Sequence, residues 1–159
     1  MEGHQIIKPN SLADYLEIMS KSVFRSGISW KVVEAKWPET KEAFRNFDPQ
    51  LISHLTIVEI DKLVEDKRII RNRRKVEAIV LNAQNILELD KKFGGFRKYL
   101  RSFNTFEELT ADLKKQFKFL GETGSYHFLA VVGEQVPAWE EWSSEHGIKF
   151  ESHTIGRNR

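Results

Sequence analysis

The stretch Phe117-Lys118-Phe119-Leu120-Gly121-Glu122-Thr123-Gly124-Ser125-Tyr126 gathers residues suited to holding an anion. Its two glycines leave neighbouring amides uncovered by side chains, and amides that open a helix attract phosphate. The same pattern also describes an ordinary helix-helix loop. A second candidate is the basic run Lys67-Arg68-Ile69-Ile70-Arg71-Asn72-Arg73-Arg74-Lys75, in which Arg71, Arg74 and Lys75 fall together at helical spacing and would face phosphates. Glu65, Asp66 and Glu77 close by allow instead a solvated face that neutralises itself.

Gly27-Ile28-Ser29-Trp30 delivers a large aromatic to the start of a helix, where it either stacks on a base or plugs the core. Glu134, Glu140 and Glu141 follow the glycine turn; a carboxylate there can polarise a water or simply sit on the surface. The five histidines show no metal-ligand spacing, and the chain has no cysteine, so no metal or cofactor is expected. Disulfides, thiolate metal sites and cysteine nucleophiles are excluded. There is no Walker loop, Rossmann fingerprint or nucleophile elbow.

These residues must be positioned by helices. Ser11 with Asp14 resembles a capping box ahead of Leu12, Leu16, Met19 and Val23, and Thr56 with Glu59 is another ahead of Ile60, Leu63 and Val64. Val33 and Trp37 carry a second helical pattern, which Pro38 is expected to end or restart. Val76, Ile79, Val80, Ala83, Ile86 and Leu87 line one long face, and Gly94-Gly95 is a turn. Leu109, Leu113 and Phe117, then Phe128, Leu129 and Val132, place a helix on each side of the glycine turn. Pro137 suits the first turn of a last helix with Trp139 and Trp142, and Gly147 is placed to stop it. No segment alternates with a period of two, so the fold is expected to be all-α, with room for two helical lobes and a cleft.

At 159 residues the chain fits one domain, with a core over residues 11–147 and a loose basic tail over 148–159. The net charge of +2 confines any nucleic-acid surface to a local patch. No signal peptide or membrane span is visible, so a soluble, cytoplasmic protein is expected.

The blocks Ser26-Gly27-Ile28-Ser29-Trp30, Phe44-Arg45-Asn46-Phe47-Asp48-Pro49, Arg68-Ile69-Ile70-Arg71-Asn72-Arg73, Asn82-Ala83, and Phe117-Lys118-Phe119-Leu120-Gly121 with Tyr126 resemble, in order and spacing, the DNA-3-methyladenine glycosylase I family. The resemblance spans roughly residues 12–133. It implies the helix-hairpin-helix glycosylase fold, with two lobes, duplex DNA as partner, a damaged base flipped into the cleft, and hydrolysis of the N-glycosidic bond of an alkylated purine such as 3-methyladenine. The glycine turn then resembles the hairpin, with Gly121, Gly124 and Lys118 on the DNA backbone beside Arg71, Arg74 and Lys75. Trp30 matches the pocket tryptophan, and Ser22 and Tyr126 would shape the pocket.

Two departures stand out. Ser22 occupies the position of the family's pocket glutamate, and the zinc ligands have no counterparts. Glu134 falls near the place where other members of the superfamily carry a catalytic aspartate, which makes it a candidate for water activation. A monomer is expected. The altered pocket keeps open a catalytically silent DNA-binding or lesion-sensing module, and the Trp139/Trp142 helix a protein-interaction role without DNA.

Overall fold

The computed structural model describes residues 6–147, and the tail expected over 148–159 lies outside them. Nine α-helices follow one another among these residues, with no strand: α1 (Leu12–Arg25), α2 (Trp30–Ala43), α3 (Pro49–Ile52), α4 (Ile57–Val64), α5 (Arg73–Phe93), α6 (Phe96–Leu100), α7 (Phe106–Gln116), α8 (Glu122–Val131) and α9 (Trp139–Glu145). The all-α expectation holds. No described helix is long and apolar enough to cross a membrane.

The capping signals are used as chemistry requires. Thr56 and Glu59 close a full capping box on α4. At α1, Ser11 accepts from the amide of Asp14, whereas the Asp14 carboxylate reaches one residue further out, to Asn10. Gly94 ends α5 in the left-handed region, as a C-terminal glycine commonly does. The last helix starts at Trp139, two residues beyond Pro137.

Pro38 neither ends nor restarts α2, which runs through it. The lost hydrogen bond belongs to the Glu34 carbonyl, and both Glu34 and Pro38 are exposed, so water can replace it. The flanking turns are pinned: the Trp37 indole donates to Glu17 at 2.9 Å, and the Thr40 hydroxyl donates to the Lys36 carbonyl at 2.8 Å. Beyond α2, a left-handed turn over Arg45–Phe47 (φ 55°, 58° and 57°) brings Phe47 into parallel stacks with Phe44 and Trp37.

The long α5 is the axis of the core. It packs against α1, α3, α4 and α6, and buries Val76, Ile79, Ala83 and Ile86. A smaller aromatic core of Tyr126, Trp139 and Trp142 joins α8 to α9.

Candidate DNA grip and base cavity

The glycine turn is a helix-turn-helix bend between α7 and α8, anchored by buried Phe117 and Leu120. The buried side chain of Asn82, on α5, clasps it: the Lys118 amide donates to Oδ1 at 2.8 Å, and Nδ2 donates to the Lys118 carbonyl at 3.1 Å. Asn85, nearly one turn along α5, donates to the Gln116 carbonyl. Main-chain atoms of the turn are thus tied to the core helix, while the Lys118 side chain stays exposed.

The first i to i−4 bond of α8 runs from Ser125 to Gly121, and no side chain caps this helix end. The amides of residues 122–124 therefore have no intrahelical partner and face outward with the positive end of the helix dipole. A Cβ at Gly121 would meet no protein atom within 4 Å, so the helix entrance is open on that side. The left-handed conformation of the bend falls on Phe119 (φ 59°), not on either glycine. Glu122 adds its own carboxylate to this turn, 3.8 Å from His146 Nε2.

The basic run does not act as a block. Asn72 caps α5, its side chain accepting from the Lys75 amide, so the helix starts at Arg73 and Arg71 lies in the preceding loop. Arg71, Arg74 and Lys75 do not share a helical face, which corrects that expectation. Arg71 sits 3.9 Å from Glu65, and Arg73 is paired with Asp61 and Glu77. The Arg74 guanidinium lies 5.8 Å from the centre of the Phe119 ring, on the hairpin.

Lys75 is 4% exposed, and its ammonium donates to the carbonyls of Phe24 and Ser26. A lysine buried against the end of α1 has no reach to a phosphate, so Lys75 does not bind the DNA backbone as its charge suggested. Desolvation lowers its pKa. What it does is fix the corner at which α1 stops, Gly27 takes a φ of 77°, and Trp30 begins α2.

Trp30 is 43% exposed there, unlike Trp37, Trp139 and Trp142, which are buried. It is free to stack, and the core-plug alternative falls away. Ser22 lines a cavity of about 240 Å³ between α1, α2 and α8. Its wall combines apolar Ile7, Ile18, Phe128 and Val131 with Asp14, Glu17, Lys21, Arg25, Glu34 and His127. Those polar groups are ordered: Glu17 accepts from Trp37 and lies 3.1 Å from Lys41, Asp14 accepts from the Asn10 amide, and Glu34 pairs with Lys21 at 3.0 Å.

Two expected pocket residues sit elsewhere. Tyr126 is buried in the α8/α9 aromatic core, donating its hydroxyl to the Pro137 carbonyl, and burial raises its pKa. Its neighbour His127 takes the cavity-facing position, one residue around the helix. Glu134 follows α8, with both carboxylate oxygens held by Arg101 at 2.9 and 3.1 Å, and it is not part of the cavity wall. Activating a water would require it to leave that pair. Sequence reasoning missed Glu17, Glu34 and His127. Only Glu34 carried a local signal, four residues after Trp30 on the same helix; Glu17 and His127 reach the cavity through helix packing.

A structural zinc does not fit these residues. The chain lacks cysteine, and no described group of three His, Asp or Glu residues could hold a metal ion.

Comparison with known proteins gives a consistent result. The methyladenine glycosylase family model matches residues 10–116. A DNA-3-methyladenine glycosylase of Haemophilus influenzae is 31% identical across 69% of this chain and 70% of its own length. DNA-3-methyladenine glycosylase 1 of Escherichia coli is 28% identical over the same shares. The solved structure of 3-methyladenine DNA glycosylase I from Staphylococcus aureus superposes with a TM-score of 0.72 at 27% identity, covering 82% of this chain and 80% of that one. A complex of such an enzyme, a Tyr-to-Phe variant, with 3-methyladenine gives a TM-score of 0.71 at 26% identity, covering 82% and 81%.

Proposed function

Because the chain belongs to the methyladenine glycosylase family, we propose that it is a base-excision repair glycosylase that releases an alkylated purine from duplex DNA. The observation that carries the reading is the double use of α8. Its first turn presents amides without an intrahelical partner, suited to a phosphate, and its next turns supply His127, Phe128 and Val131 to the cavity. At about 1.5 Å of rise per residue, the grip and the cavity lie about 5–14 Å apart along the helix, the scale of one or two nucleotides.

In this reading the amides of residues 122–124, with Lys118 and Arg74, hold the DNA backbone, and Arg71 adds a more distant charge. The damaged nucleotide turns out of the stack toward Trp30 and the Ser22 cavity. An alkylated purine is cationic while attached to the sugar. Breaking the C1′–N bond returns the bonding pair to the base and neutralises it. Water then adds to the sugar carbon and loses a proton, leaving an abasic site. Chemistry this favourable asks the protein chiefly to extrude, stack and orient the base. The indole face of Trp30 also attracts a cationic ring.

Purified protein incubated with methylated duplex should release 3-methyladenine, detected by chromatography of the free base. Tight binding to an abasic duplex with no base released at any enzyme excess would replace this reading with a silent lesion binder.

A further inference from the structure

A flipped alkylated purine carries a positive charge that the Ser22 hydroxyl cannot balance, and the cavity wall holds three carboxylates that differ in how firmly they are held. Asp14 caps the backbone at Asn10. Glu17 is fixed by the buried Trp37 indole and by Lys41, and its side chain is only 22% exposed. Glu34 is different: its side chain is 44% exposed and its partner at 3.0 Å is the flexible ammonium of Lys21. Lys21 has an alternative seat, since its ammonium already lies 5.4 Å from the centre of the Trp37 ring. Glu34 also follows Trp30 by four residues in α2, so the two side chains share one helical face. An aromatic surface and an exchangeable carboxylate thus adjoin on α2, across from Ser22 on α1.

We propose that Glu34 is the charge-reading residue of the cavity, exchanging its ion pair with Lys21 for one with the cationic purine stacked on Trp30. This rests on the glycosylase reading and extends it, because it assigns the preference for a positively charged base to a named carboxylate and a named competing lysine. Arg25 contributes to the same balance, its guanidinium lying close enough for Glu34 to raise its pKa against the larger lowering by desolvation. At rest Glu34 is paired with Lys21, and a cationic ligand enters by replacing it.

The test is a calorimetric titration of the full chain with 7-methylguanosine at about pH 6, where its methylated ring is cationic and carboxylates stay ionised, and with guanosine as the neutral control. The wild type should favour the methylated nucleoside by about tenfold, equivalent to ~1.4 kcal/mol. Glu34→Gln should erase that preference, with a cooperative melting curve showing that the variant is still folded. Lys21→Met, which removes the competing cation, should enlarge the preference. A wild type that does not distinguish the two nucleosides overturns the proposal, as does a Glu34→Gln protein that still does. Base release from methylated duplex is assayed in parallel: release by the wild type together with an unchanged preference in Glu34→Gln rejects Glu34 alone. No release at any enzyme excess rejects the glycosylase reading, whatever the titrations show.

Discussion

At its first turn α8 offers main-chain amides, the proposed grip, and one turn later it helps to line a cavity made of side chains from three helices. The two regions obey different rules. A grip made of N–H groups depends on where the backbone is held, and here Asn82 and buried Phe117 and Leu120 hold it. A cavity made of side chains depends on which residues stand at each position, so one substitution such as serine for glutamate rewrites its chemistry without moving a helix. The shape of this chain therefore speaks more firmly for the grip, and the identities of its residues speak for what is read.

The largest expected effect probes how the grip is held. Asn82→Leu removes two hydrogen bonds to the Lys118 main chain and should cost about 2–6 kcal/mol in urea denaturation, since unpaired partners lose ~1–3 kcal/mol each. Duplex binding should fall with it. Next comes Trp30→Ala, which acts on the other region. Loss of stacking worth ~1–3 kcal/mol should slow single-turnover excision about 10- to 100-fold, with binding to an abasic duplex changed far less. Equal losses in both assays would place Trp30 in the grip instead.

Lys75→Met separates support from contact. It should lose roughly 1–2 kcal/mol of thermal stability, because the Phe24 and Ser26 carbonyls lose their donor, yet leave the salt dependence of duplex binding unchanged. Arg74→Ala should do the reverse: stability within ~0.5 kcal/mol of the wild type, and a log-log salt slope shallower by about 0.9. A salt slope that moves in Lys75→Met but not in Arg74→Ala would exchange the two roles.

Much of this was legible in the sequence because helices advertise themselves locally. The period of apolar residues along α5, the Thr56/Glu59 box and the glycine after Phe93 depend only on neighbours within a turn or two, and each is found as read, except that Leu89 rather than Leu87 is buried on the α5 face. The hairpin was legible for the same reason. Pro38 misled because the cost of an interior proline was offset by contacts from distant residues, Glu17 to Trp37 and Arg68 to Thr40. Lys75 misled more instructively. Its charge is a local fact, but its use at the end of α1, across 49 and 51 residues of chain, is a tertiary one. The cavity was least legible: Ser22 and Trp30 came from the resemblance, whereas Glu34 and His127 join them only once three helices have packed.

The Asn82 clasp has an evolutionary side. It recognises position 118 by its N–H and C=O alone, so any residue other than proline can occupy that position without shifting the bend. The exposed side chain is thereby released from any duty to shape. Exchange from lysine to a neutral or acidic residue would weaken the hold on phosphate and flatten its response to salt while the architecture stays still. Divergent descendants of such a protein can retune how long they linger on DNA one residue at a time, and leave the base cavity untouched while they do so.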